Sequence, residues 1–302
     1  MQPRRAGFPA LLVAAIGIAT VAIGCNGVLP FGSAGDASAT QAADRLHQQA
    51  DDALQRWADA VKQSGGASIT FVGGLTSQVG DWESAVAGND KAALQAGAVT
   101  AQTALSDEVP SRGKVSWVDG TSIDVNMLSA AKALEDLVAD GHGSCGSCSP
   151  LLVTGSSLAT SLVQTSNGAA QVPVWVFTLK GTAVTITRVA VDPSVTVTPP
   201  AFNAGNPPDG ISIDAAFGRP DSRKLQVQFT GCSAGNYATE AVESDLAVVV
   251  IVSPLDPQAS PPPGCARLVG QSISATLTLD AVLGKRAVLE VRQGLPVPLN
   301  PS

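Results

Sequence analysis

Two cysteines and a histidine lie close together in the stretch DGHGSCGSCSP, residues 140–150. Cys145 and Cys148 have the C-x-x-C spacing, and His142 is one of 2 histidines in the chain. Such a group can act as a thiol–disulfide catalyst, contribute half of a zinc site, or form a short disulfide. Each of these needs different surroundings, so the neighbouring elements discriminate between them.

Thiol–disulfide catalysis places the C-x-x-C pair after a strand and at the start of a helix, because the helix N-terminus lowers the pKa of the first thiol. Here the order is inverted. A helix capped by Asn126 is predicted before the pair, and the β-rich run SPLLVTGSSLATSLVQT follows it. The buried face of that helix is predicted to comprise Met127, Leu128, Ala131, Leu134, Leu137 and Val138.

The remaining cysteines favour disulfides over a metal site. Zinc takes four grouped Cys or His ligands, but Cys232 and Cys265 lie far along the chain. Outside the cytoplasm, cysteines tend to oxidise in pairs. We therefore predict the disulfides Cys145–Cys148 and Cys232–Cys265, one of three connectivities, because each pair then stays within one predicted domain. No metal or other cofactor is predicted.

Two further motif matches lack the context that their chemistry needs. GHGSCG, residues 141–146, fits the dinucleotide pattern G-x-G-x-x-G but follows a predicted helix instead of a strand. GCSAG, residues 231–235, fits the hydrolase elbow around Ser233. Hydrolases with that elbow have their histidine after the serine, whereas both histidines here precede it.

The N-terminus, MQPRRAGFPALLVAAIGIATVAIGC, has the layout of a secretory signal: Arg4 and Arg5, then an apolar run from Ala10 to Ile23. This run is shorter than the roughly 20 residues of a membrane span. Residues 1–24 are therefore predicted to be a signal peptide. An uncleaved anchor helix and cleavage near residues 37–39 are the alternatives.

The run ends in AIGC, which resembles the lipobox of bacterial lipoproteins, with Ala22 in place of the usual leucine. The resemblance implies that Cys25 is lipidated and becomes the mature N-terminus. The protein would then be held at the extracytoplasmic face of the cell membrane by its lipid anchor. The small, turn-rich residues 25–37 are predicted to form a flexible tether.

The composition excludes some classes of function. Hydrophobic residues make up 45% of the chain and charged residues 14%, which is typical of a folded protein. The net charge of −7 argues against a nucleic-acid partner, because that role needs basic patches.

The predicted fold class is α+β. Residues 38–192 are predicted to form a domain of helices and antiparallel sheet, beginning with a helix capped by Ser38, and residues 193–210 a proline-rich linker. Residues 211–302 are predicted to form a small, all-β, sandwich-like domain with LAVVVIV as a central strand. The first helix has an apolar face of Leu46, Ala50, Ala53, Leu54, Trp57 and Val61.

One loop-rich stretch, GDWESAVAGNDK, is a candidate binding surface, because an aromatic ring lies beside polar groups between glycines. Its candidate residues are Trp82, Glu83, Asn89 and Lys91. The alternative is that Trp82 packs in the core and the charged residues are simply solvated.

Three segments resemble uncharacterised actinobacterial exported lipoproteins: VGDWESAVAGNDKAALQAG, CGSCSPLLVTGSSLATSLVQTSNGAAQVPVWVFTLKGTAVTITRVAV and TLTLDAVLGKRAVLEVRQG. The resemblance implies an exported, membrane-tethered protein and carries no catalytic residues. We therefore expect a non-catalytic binding or envelope component, whose partner is an envelope protein or a small molecule. The alternative is an exported enzyme, either a C-x-x-C oxidoreductase or a hydrolase with an unrecognised site.

Overall fold

The computed structural model describes residues 34–66, 69–82, 87–200, 209–232, 237–255 and 270–302. This part of the chain is mostly β, with three helices and several antiparallel sheets, in agreement with the α+β expectation. No helix in these ranges is both long and apolar enough to cross a membrane. The predicted signal peptide, Cys25, Glu83, Ser233 and Cys265 lie outside the described residues.

The first group of elements is a seven-stranded sheet with two helices. The central path of the sheet runs β1-β7-β6-β3-β4 with antiparallel neighbours; β5 pairs with β6, and β2 runs parallel to β5. The predicted hairpin turn at residues 180–182 is present between β6 and β7. The elements are β1 (Thr76–Val79), α2 (Ala87–Gln95), β2 (Val99–Ala101), β3 (Gly113–Trp117), β4 (Ser122–Val125), α3 (Ala130–Ala139), β5 (Leu151–Thr165), β6 (Gly168–Leu179) and β7 (Thr185–Val189).

Both helices of this group pack against the sheet. Ala93 of α2 and Leu134 and Leu137 of α3 lie in one apolar cluster with Phe177 and Ile186 of the sheet. The cap of α3 is Ser129, whose side chain accepts from the backbone N–H of Lys132, so the predicted cap at Asn126 was three residues too early. Met127 and Leu128 are buried as predicted but precede the helix.

The second group contains two sheets. The four-stranded sheet has the order β12-β9-β8-β14 and the three-stranded sheet the order β10-β11-β13. Apolar side chains from both sheets form one core between them. The strands are β8 (Ile213–Gly218), β9 (Lys224–Gly231), β10 (Tyr237–Glu243), β11 (Ala247–Pro254), β12 (Gln271–Thr278), β13 (Ala287–Glu290) and β14 (Leu299–Asn300).

Helix α1 (Ala34–Gln63) covers the outer face of the three-stranded sheet. In β11, Val248 and Val250 face the four-stranded sheet, while Val249 and Ile251 face α1. The central strand is therefore buried on both faces, which is why LAVVVIV is apolar without alternation.

Two sequence expectations differ from these contacts. Helix α1 begins at Ala34 instead of Ser38, and its apolar residues contact the second group although the sequence places it with the strands that follow it. The other difference lies in the predicted linker, where one residue is held in the fold. Val197 is buried, and its backbone N–H donates to the carbonyl of Ile69 at 2.7 Å.

Candidate functional site

A cleft of about 630 Å³ lies where the edge strand β1 meets the ends of α2 and α3. Residues 73–78 form one wall. The other walls are Leu94 and Gln95 at the end of α2, Leu137 and residues 140–142 at the end of α3, and Arg188 of β7.

Arg188 is the one described strand residue in this cleft with a charged side chain. Strands β1 and β7 are antiparallel neighbours, and Arg188 lies directly opposite Thr76. Side chains alternate across a strand, so Arg188 shares a face with Ile186, which belongs to the apolar core beneath α2 and α3. The arginine is consequently only 5% exposed, and its charged head group lies among packed elements.

The hydrogen bonds of this guanidinium are made on one side. Nη1 donates to the hydroxyl of Thr76 at 3.0 Å and lies 2.7 Å from a carboxylate oxygen of Asp140. Nε is buried and has no hydrogen-bond partner among the described residues, and Nη2 has no partner there either. A buried donor without a partner is costly, so Nε of Arg188 is an unused hydrogen-bond donor.

Asp140, the ionic partner, is the C-cap residue of α3. Its side chain is 56% exposed, in contrast to the buried arginine. The carbonyl end of a helix also favours a nearby cation. The C-terminal end of α3 therefore stabilises the charge of the arginine from the solvent side.

Two glycines allow the ends of α2 and α3 to meet. A Cβ on Gly141 would lie 2.5 Å from the backbone nitrogen of Gly97, and Gly97 has a positive φ of 67°. The backbone N–H of His142 donates to the carbonyl of Gln95 at 2.7 Å. This backbone junction fixes the floor of the cleft next to Asp140.

The Cys145–Cys148 disulfide follows this junction directly. Cys148 packs against the apolar cluster that α2 and α3 share with the sheet. The pair lies between α3 and β5, in the order predicted from the sequence, so no helix begins at it. Cys232 is also disulfide-bonded, and its predicted pairing with Cys265 stays a prediction.

Of the sequence-predicted binding residues, Trp82, Asn89 and Lys91 do not line the cleft, and Glu83 lies outside the described residues. Trp82 is 7% exposed and packs in the same apolar cluster as α3, which removes it as a surface contact. Its indole N–H donates to Oε1 of Gln78 at 2.6 Å, so it positions a residue of the cleft wall. Asn89 and Lys91 are exposed on α2, away from the cleft.

Arg188, Thr76 and Asp140 were missed by the sequence reasoning. The available signal is a charged residue in TITRVAV, two positions after the apolar Ile186 on the same strand face. A charge at such a position is rarely buried without a reason. Thr76 and Asp140 could not be found this way, because strand pairing and the end of a helix bring them to Arg188.

The arrangement suits recognition of a small molecule by one arginine, polar groups and leucines. Among the described residues, no group of three or more His, Cys, Asp or Glu side chains could hold a metal ion. No protein-family model, curated protein or solved structure matches the chain.

Proposed function

We propose that this protein is exported, anchored by lipid on Cys25 to the extracytoplasmic face of the cell membrane, and binds a small molecule in the Arg188 cleft without transforming it. The n-region, apolar run and AIGC sequence support the anchor. A single acyl chain holds a protein only marginally at a membrane, so stable anchoring implies more than one chain.

The observation that carries the binding role is a buried arginine in the wall of this cleft whose Nε has no hydrogen-bond partner among the described residues. Concave sites with apolar walls and a few convergent polar groups are the usual form of a small-molecule site. Leu75, Leu94 and Leu137 supply the apolar part, and Ser77 and Gln95 add polar side chains.

The proposed division of the chain follows the two groups of elements. The tether leads into α1, which packs on the three-stranded sheet, while the cleft belongs to the seven-stranded sheet. In this proposal the second group carries the anchor and the first group carries the ligand.

Membrane anchoring is tested with Cys25→Ala. We expect the wild-type chain to require detergent for release and to carry acyl mass on Cys25 by mass spectrometry. The variant should lack this mass and be either unprocessed or released. A wild-type N-terminus beyond residue 30 contradicts the anchor.

Ligand binding is tested with the full lipid-anchored chain in detergent. The protein is incubated with a polar extract of cell envelopes, washed and denatured, and the released small molecules are identified by mass spectrometry. We expect one compound that wild-type protein retains and Arg188→Met does not. Equal retention by both, or no retained compound, contradicts the proposed cleft function.

A further inference from the structure

We propose that the ligand of the Arg188 cleft is a small amphipathic monocarboxylate, held by Nε and Nη2 of Arg188 with its apolar body against the leucine wall. This inference rests on the proposed function and names the chemical class of the ligand.

The shape of the free donor edge matches a carboxylate. Nε and Nη2 of a guanidinium present two parallel N–H donors, which match the two oxygens of a carboxylate. The same pairing occurs on the surface of this protein, where Nε and Nη2 of Arg219 donate to the two oxygens of Asp221 at 3.1 and 3.2 Å. In Arg188 that edge has no partner among the described residues.

The charges that line the cleft favour a monoanionic ligand. Among the described residues, Arg188 and Asp140 are the only Arg, Lys, Asp or Glu side chains that line the cleft, and they already form an ion pair. A monoanion adds one negative charge to this balanced pair. A phosphate dianion adds two beside Asp140, in a chain of formal net charge −7, so the monoanion is favoured.

The apolar wall of the cleft favours a ligand with an alkyl chain. Leu137 is buried, and Leu75 and Leu94 are half-buried, all on the lining of the cleft. Burial of each ligand methylene against such a wall strengthens binding by about fourfold. A carboxylate with a short alkyl chain uses both parts of the site, whereas acetate uses only the arginine.

Access of the ligand to the two donors requires movement of the guanidinium. Because Nε is buried, binding includes a shift of the guanidinium toward the cleft. The half-exposed Asp140 can follow this shift, because its carboxylate already lies largely in water. Asp140 therefore competes with the ligand carboxylate for the arginine.

The test uses butanoate as the probe, with the full lipid-anchored chain in deuterated detergent and protein-free micelles as the blank. Dissociation constants are measured by saturation-transfer NMR. We expect butanoate to bind at least fivefold more tightly than acetate and at least tenfold more tightly than butanamide, its neutral isostere. Inorganic phosphate should not displace it at equal concentration.

Variants separate the donor edge from charge alone. Arg188→Met and Arg188→Lys should each weaken butanoate binding at least tenfold, because lysine keeps the charge but lacks the paired donors. Asp140→Asn should strengthen it at least threefold by removing the competing carboxylate. Arg219→Met, which removes the same charge on the exposed surface, should change it less than twofold.

Each contrary result has a distinct meaning. Full binding by Arg188→Lys overturns the paired-donor recognition, and displacement by phosphate overturns the carboxylate class. If butanoate fails to bind but an envelope compound is retained through Arg188, the ligand class is wrong and the proposed function stands. If neither binds, both are wrong.

Discussion

Each of the two groups of elements buries one arginine. The two arginines differ in how many of their side-chain nitrogens donate hydrogen bonds. Arg286, in the second group, is 8% exposed and donates from all three of its side-chain nitrogens. Its Nη1 lies 2.6 Å from Glu243, whose side chain is itself only 13% exposed. Arg188, in the first group, is buried to the same degree but uses Nη1 alone.

The carboxylate partners differ as well. Burial raises the pKa of Glu243, but hydrogen bonds from Arg286 and from the backbone N–H groups of Asp280 and Ala281 outweigh it, and the net pKa is below the ordinary value. Asp140 is largely in water. All three side-chain nitrogens of Arg286 therefore donate within the fold, whereas Nε of Arg188 has no hydrogen-bond partner among the described residues.

The largest expected effect comes from replacing these two arginines in turn. Arg286→Met leaves the buried Glu243 without its counter-ion and should lower the free energy of unfolding by about 3–5 kcal/mol. Arg188→Met removes an unsatisfied donor and leaves an exposed aspartate, so the loss should be below about 1 kcal/mol. Urea unfolding of both variants measures this, and equal losses would show that the two arginines contribute alike to stability.

Close backbone contact at the cleft floor gives the next effect. Gly141→Ala places a Cβ against the backbone of Ala96 and Gly97 and should cost about 1–3 kcal/mol. Gly146→Ala is the matched control in the same loop, because its added Cβ meets nothing within 4 Å. Urea unfolding should separate the two variants. Equal stabilities would show that the junction of α2 and α3 is not closely packed.

Loss of the short disulfide is expected to have a similar effect. Loop-closure entropy for Cys145–Cys148 corresponds to about 2 kcal/mol, so the double substitution Cys145→Ser and Cys148→Ser should lower stability by that amount. Thiol titration of the denatured, unreduced wild-type chain should find no reactive thiol. Two or more free thiols would contradict the disulfide assignment of the cleft region.

The sequence predicted the elements with strong periodicity and missed the features that depend on tertiary contacts. The apolar face of α1, the β6–β7 hairpin and the buried strand β11 follow from spacing and turn residues. The packing of α1 on the second group could not be predicted, because an apolar helix face does not specify its partner. The cleft was missed for the same reason: Thr76, Asp140 and Arg188 are brought together by strand pairing and by the end of α3.

The smallest expected effect concerns how α1 is held on the second group. His47 of α1 pairs through Nε2 with a carboxylate oxygen of Glu240 on β10 at 2.8 Å, and its Nδ1 lies 3.0 Å from the carbonyl of Ala43. The hydrogen bond to Glu240, then that to Ala43, raises the pKa of His47 above its ordinary value of 6.5, with a smaller contribution from the charge of Asp51. Both ring nitrogens face acceptors, which fits the protonated form.

A raised pKa in the folded state means that the stabilisation is fully present below pH 6.5, the unfolded value, and is lost as pH rises through the folded pKa. Both side chains are about half exposed, so the contribution is below about 1 kcal/mol. We expect His47→Gln to be less stable than wild type in urea at about pH 5.5 and equal to it at about pH 9. Glu240→Gln should show the same pH pattern, and the double variant should show no additional loss. A difference that grows toward high pH would mean that neutral His47, by packing alone, holds α1 on the sheet.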